Sequence, residues 1–241
     1  MEAAGVPVRP VLDDVGRINP FFHVVATRAG EPGWRPVDGC TAEEAGRRVA
    51  DVRGRLARVA GGDPAVVEWR VAASLFHQGL VTRLLSPVLA AGLCHGVLVD
   101  ARAFDWRTDG AELSTGQRRA ARVSGGAAGV ADWIQESVVT GAAARVAEAL
   151  AEAGRVAPGL LWGNAAAALA GAVRALGSAR PGVRAAAESV ARDLLSRPAL
   201  AGTAGYRGVD AEGLAVFRRT TCCLYYRLPG GGLCGDCALR D

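Results

Sequence analysis

Apolar residues return at helical intervals through Val49, Val52, Leu56 and Val59, and Thr41 with Glu44 three positions later forms a capping box just before them. That spacing predicts an amphipathic helix. Asp63-Pro64 reads as an N-cap followed by proline in the first turn, opening a long helix through Val71, Leu75 and Leu80 that Pro87 should end or kink. The pattern then changes. The β-branched run HGVLVD from His95 to Asp100 predicts a strand, DWRTDG a turn and AELS a short return strand. Beyond Gly129 the helical signal returns over residues 131–153, 159–177 and 182–196, each rich in Ala, Leu and Val with Gly or Pro at its margins. Pro198 to Gly213 turns to Gly, Tyr and Asp and reads as a linker. The expected architecture is mainly α: a helical body over residues 1–205 with one small β-hairpin, then a C-terminal module over residues 206–241.

Composition narrows the chemistry. A chain of 241 residues can bury a substantial core in one large domain with a small appendage. No apolar run reaches the ~18–20 residues of a membrane span, and the acidic N-terminus (Glu2, Asp13, Asp14) has no apolar core of a secretory signal, so no transmembrane segment is expected. All 28 basic residues are arginine, scattered among acids as in Glu43–Arg47 and Glu44–Arg48, which is a solvated helix face rather than a nucleic-acid surface. With no lysine, the chain cannot build a Walker A loop, a pyridoxal Schiff base or a kinase site. Gly125 to Gly129 is not a dinucleotide fingerprint, and no glycine-framed nucleophilic serine occurs. His23, His77 and His95 lie far apart and read as packed or surface residues. Asn164, near an otherwise apolar helix face, must find hydrogen-bond partners if buried.

The cysteines carry the strongest signal. Cys40 and Cys94 stand alone, which suits a reducing cytoplasm, whereas Cys222 and Cys223 are followed by ten residues, Cys234, two more and Cys237. Adjacent cysteines have Cα atoms about 3.8 Å apart, closer than the roughly 4.4–6.8 Å of an unstrained disulfide. One inorganic centre would use all four thiols. Zinc normally takes two Cys-x-x-Cys or Cys/His knuckles, and one half here is Cys-Cys; a 2Fe-2S cluster also takes four thiolates with variable spacing. Spacing leans toward the cluster and leaves zinc open.

The run RRTTCCLYYRLPGGGLCGDC, Arg218 to Cys237, resembles the C-terminal signature of FhuF-type ferric-siderophore reductases. SLFHQGLVTRLLSPVLA (Ser74 to Ala90) and LLWGNAAAAL (Leu160 to Leu169) are more loosely similar to helical segments of that family, so the likeness spans residues 65–241. The resemblance implies a 2Fe-2S cluster on Cys222, Cys223, Cys234 and Cys237, and one-electron reduction of a ferric siderophore. With no nucleotide or flavin site visible, it also implies an external donor such as a ferredoxin or a flavin reductase. Gly230, Gly231, Gly232 and Gly235 can bring backbone amides close to sulfur. A cluster charge of about −2 makes Arg218, Arg219, Arg227 and Arg240 candidates for compensating it. Arg218, Arg219 and Arg227 also suit an acidic donor or an anionic chelate, and Arg83, Trp106 and Arg118 have the chemistry to contact one. A cytoplasmic protein, at most peripheral at the inner face of the membrane, is the expected setting. Two other readings stand beside it: a non-enzymatic protein stapled by structural zinc, and a protein that binds or senses an iron chelate.

Overall fold

The apolar periodicities become helices in the computed structural model, which describes residues 5–27, 30–154, 156–210 and 215–240. In chain order the elements are β1 (Val6–Pro7), α1 (Val8–Val15), β2 (Val24–Ala26), β3 (Trp34–Pro36), α2 (Ala42–Val59) and α3 (Trp69–His95). There follow β4 (Phe104–Arg107), β5 (Leu113–Thr115), β6 (Arg119–Ala120), α4 (Gly126–Ile134) and α5 (Ala143–Ala153). Last come α6 (Pro158–Ala179), α7 (Arg184–Ser196), β7 (Ala204–Val209) and β8 (Ala215–Arg219). The protein is mainly α, as its sequence pattern predicts.

Two compact units divide these elements. The first comprises Met1–Gly39, Leu80–Arg145 and Leu169–Leu194; the second comprises Cys40–Gly79, Val146–Ala168 and Leu195–Asp241. In the first unit a mixed sheet runs in the order β2-β5-β4-β3, with β2 and β5 parallel and the other neighbours antiparallel. Phe104 and Trp106 alternate inward from β4 and meet Thr115 and Leu113 of β5 in register, which gives this sheet its apolar face. Helix α1 buries Val8, Val11, Leu12 and Val15, a single stripe at helical spacing. A β-carbon on Gly92 would lie 2.9 Å from both Val130 methyls, so glycine there is what lets α3 approach α4.

The second unit holds α2, the first part of α3, the last part of α5, the first part of α6 and the hairpin β7–β8 that leads into the cysteines. Thr41 caps α2 as expected, its hydroxyl accepting from the Glu44 amide at 3.2 Å. Of the residues expected on one face, Val49 is buried, but Val59 at the end of α2 is 89% exposed.

Several elements depart from the sequence expectation, each for a physical reason. Asp63 caps only a short 3-10 turn, Pro64–Val66, accepting from the Ala65 amide at 2.7 Å, and the long helix begins afresh at Trp69. Pro87 does not end that helix, which runs on to His95. The stretch from Leu84 to Gly92 is buried at every position, and this burial outweighs the one backbone hydrogen bond that proline removes. The β-hairpin exists but is displaced along the chain. Asp100 accepts from the Arg102 amide at 2.9 Å and caps a 3-10 turn, Ala101–Ala103, so the outgoing strand is Phe104–Arg107 instead of 95–100. The return strand, Leu113–Thr115, falls where expected. Helix 131–153 is interrupted by a π-helical stretch, Gln135–Ala142, in which the Thr140 hydroxyl donates to the Gln135 carbonyl at 2.8 Å. Part of the expected linker is strand β7, paired antiparallel with β8. Helix α6 is long and apolar enough to cross a membrane, yet 67% of its most apolar window is buried inside the protein, as in a core helix.

Candidate iron–sulfur centre

Strand β8 delivers the chain directly into Cys222-Cys223, and the second cysteine pair follows a short 3-10 turn at Tyr225–Arg227. Leu224 makes the reversal possible by adopting a left-handed backbone with φ of 64°, a conformation that costs a branched residue roughly 1 kcal/mol or more. Its amide donates to Cys222 Sγ at 3.3 Å. The same motif recurs at the other pair, where the Leu239 amide donates to Cys237 Sγ at 3.4 Å. Each of these amides lies two residues beyond its cysteine. Glycine is also needed for the loop itself: a β-carbon on Gly231 would strike the Tyr225 carbonyl at 2.3 Å.

All four thiols are drawn into one region. Cys223 Sγ lies 3.6 Å from Cys234 Sγ, and Cys222 feels the charge of both Cys223 and Cys237. Cys223 and Cys237 are buried, while Cys222 and Cys234 are half-buried. Burial pushes the Cys222 thiol up; the Leu224 amide pulls it down, Cys223 and Cys237 push it up again, and Arg219 opposes them. Burial likewise raises Cys234, reinforced by Asp236 and then Cys223. Thiols raised by burial, as at Cys222 and Cys234, become thiolates when a metal cation compensates their charge, so the donor set suits an inorganic centre. Among the described residues no three Cys, His, Asp or Glu side chains converge on one point, so the side-chain geometry does not by itself choose between zinc and a two-iron centre. A two-iron centre asks for two thiolates at each iron, and thiols gathered as neighbouring pairs with backbone amides on sulfur fit that demand.

Behind the thiols lies a buried polar chain that joins three segments distant in sequence. The Arg219 guanidinium donates through Nη2 to Asn164 Oδ1 at 2.5 Å. Asn164 Nδ2 donates to the Ser74 carbonyl at 2.9 Å and to its Oγ at 3.0 Å, and Ser74 Oγ donates to the Cys223 carbonyl at 2.7 Å. Arg219 is 3% exposed, and Ser74 and Asn164 are fully buried. Neighbouring Gly163 is required for the approach, since a β-carbon there would stand 1.9 Å from Thr221 Oγ1. The two upstream segments that carry the looser resemblance, Ser74 to Ala90 and Leu160 to Leu169, thus supply Ser74, Gly163 and Asn164 to the back of the cysteine segment. Asn164 was visible in the sequence as a polar residue on an apolar face, but Ser74 carried no signal of its role.

The remaining candidate residues are dispersed. Arg218 Nη1 donates to the Gly235 carbonyl at 2.7 Å, Arg240 Nη2 to the Leu233 carbonyl at 3.0 Å, and Arg227 pairs with Glu68 at 2.6 Å. Glu68 is held below the usual carboxylate range by Arg70 and then Arg227. In the first unit Arg83 stacks 4.9 Å over the Phe21 ring and lines an open cleft of 960 Å³, together with Arg17, His23, Arg107 and Glu112. Trp106 is 2% exposed inside the sheet's core, and Arg118 is exposed in the short connection from β5 to β6. The structure therefore does not bring Arg83, Trp106 and Arg118 together as one constellation. Isolated Cys40 has its thiol pushed up to about 12 by burial and then by Glu44, which makes it inert. His77 is fully buried on α3, and burial pushes its imidazole down to about 3, so it is neutral at physiological pH.

Four paired thiols on a tight, glycine-bearing loop behind a β-hairpin define an iron–sulfur domain. Residues 219–239 match the family model of the FhuF 2Fe-2S C-terminal domain. Its cofactor is a 2Fe-2S cluster, and the zinc alternative that spacing left open is set aside. No curated protein matches the chain.

Proposed function

We propose that this protein is a ferric-siderophore reductase of the cytoplasm, in which residues 206–241 carry the redox group and residues 1–205 form the substrate-binding body. The observation that carries this reading is the match of residues 219–239 to the FhuF 2Fe-2S domain, on a segment whose four thiols are gathered together. Cys222, Cys223, Cys234 and Cys237 would hold the 2Fe-2S group, which when bound supplies one-electron transfer between an external donor and chelated Fe(III). Siderophores hold Fe(III) through hard oxygen donors, and Fe(II) has less preference for them, so the one-electron product leaves its chelate more readily.

The chain's own residues keep this site close to solution. Tyr225, Tyr226, Leu233 and Leu239, which flank the ligands, are 37–53% exposed, while Cys223 and Cys237 beneath them are shielded. An outer-sphere reaction with a chelate that stays at the surface needs that arrangement and no acid–base residue. Arg218, whose guanidinium meets a neutral backbone carbonyl and not an acid, is the residue we assign to an acidic donor protein, such as a ferredoxin or flavin reductase, or to an anionic chelate.

The decisive experiment mixes anaerobic, dithionite-reduced protein, freed of excess reductant, with a ferric hydroxamate and an Fe(II)-trapping chelator. Return of the oxidised visible spectrum with one trapped Fe(II) per electron is the expected outcome. A spectrum that stays reduced with chelate in excess would sink the reading.

A further inference from the structure

Arg218, Arg219, Arg227 and Arg240 are equivalent by composition, but the structure separates them. Three spend their guanidinium groups on an acid or a backbone carbonyl at the surface. Arg219 is different. It is 3% exposed, and among the described residues only Nη2 of its guanidinium has a partner, Asn164 Oδ1. Its Nε and Nη1 are shut off from water and have no hydrogen-bond partner among the described residues. The hydroxyl of Thr221, two residues on, is in the same condition.

Unmet buried donors on a charged group are costly, and a folded protein rarely keeps them without a use. Here they sit on a side chain that is held rigidly from both ends. The Arg219 amide donates to the Asp236 carbonyl at 3.1 Å, between Cys234 and Cys237, while its guanidinium is anchored on α6. Arg219 also acts electrostatically on Cys222, three residues ahead of it. The one strongly anionic group this part of the chain is built to hold is the four-thiolate cluster, with a charge of about −2 when oxidised and one more negative charge when reduced.

We propose that Arg219, oriented by Asn164, and the Thr221 hydroxyl donate to the sulfurs of the bound cluster, so that Arg219 is a positioning residue that raises the cluster's reduction potential. A fixed positive charge and fixed donors interact more strongly with the reduced form than with the oxidised one. Asn164 and Ser74 set this geometry by fixing Arg219 and the Cys223 carbonyl to the same two helices.

The inference rests on the 2Fe-2S site and not on the siderophore reading, because its test uses no chelate. Wild type and Arg219→Gln, purified anaerobically and assayed for iron and sulfide, are poised with dithionite and mediator dyes, and reduced cluster is read from its EPR signal. Arg219→Gln is expected to retain cluster and to lower the ratio of reduced to oxidised form at a fixed potential about tenfold, equivalent to 59 mV for one electron. Arg219→Lys, which keeps the charge but loses the fork, should fall between the two. A fully loaded Arg219→Gln protein at the wild-type potential overturns the proposal. Thr221→Val removes one hydroxyl with little change of shape and serves if Arg219→Gln does not fold. A decrease of about twofold in the same ratio supports the proposal, and an unchanged ratio in a loaded protein overturns it.

Discussion

The cleft of the first unit and the cysteine segment of the second both gather arginines, yet they are built on opposite electrostatic terms. In the cleft, Arg107 donates to Asp109 at 2.9 Å, lies 3.7 Å from Glu112 and stacks 5.6 Å over Trp34, all at the surface. Its charge is neutralised before any ligand arrives. Beside the thiols, Arg219 is buried with two of its nitrogens unmet, and Thr221 shares that condition. A polar group already answered by its own protein has little left to give a ligand, whereas a buried group left unanswered marks where something else is meant to bind. Buried groups without a partner also occur among the described residues of the first unit, as at Ser114 and Ser137, so it is the thiols beside Arg219, and not burial alone, that place the chemistry in the cysteine segment.

The largest test of the contrast removes a ligand. Cys237→Ser, or equally Cys222→Ser, should abolish the visible absorption of the anaerobically purified protein, whereas Cys40→Ser should leave it intact. Retention of full iron and sulfide in Cys237→Ser would show that the paired thiols are not the ligand set.

A second comparison sets the two arginine environments against each other. Asn164→Ala withdraws the acceptor from a buried guanidinium and breaks the link to Ser74, which should cost about 2 kcal/mol or more in urea unfolding. Arg107→Ala removes only solvent-exposed pairing and should cost less than about 1 kcal/mol. Equal losses would mean that the two regions differ in appearance and not in energetics.

The smallest effect concerns His77 and pH. The unfolded chain takes up a proton at this imidazole below about 6.5, while the folded protein resists it down to about 3. Stability is therefore full above pH 6.5 and falls as pH drops through the window from 6.5 to 3, by up to ~1.4 kcal/mol per pH unit. Between pH 7 and 5.5, wild type should lose roughly 1 kcal/mol more than His77→Leu, measured by urea unfolding of each. Parallel losses would indicate that His77 gains a proton partner on acidification.

Much of this was legible along the chain. Helical periodicity is local, so α2, α6 and α7 fall close to their predicted spans, and the Thr41 cap needs only the residues beside it. Boundaries moved where a non-local force intervened. Burial around Leu84 to Gly92 carried α3 through Pro87, and strand pairing drew Ala204–Val209 out of an apparent linker. The displaced hairpin shows the same competition, because the cap at Asp100 broke a β-branched run that looked like a strand by itself.

By itself the sequence placed four thiols within sixteen residues, close enough for a short loop to gather them, and its spacing leaned toward a cluster while leaving zinc open. It could not rank the arginines. Arg218 and Arg219 are chain neighbours on β8, and a strand sends successive side chains to opposite faces, so which one turns inward is fixed only when the strand is paired and covered. Gly163 and Asn164 of α6 and Ser74 of α3 provide that cover, from 55 and 145 residues away from Arg219 for Asn164 and Ser74. Only the tertiary structure could make one arginine of four a buried, unsatisfied donor beside the thiols, because burial and partnership belong to the assembled neighbourhood and not to the residue.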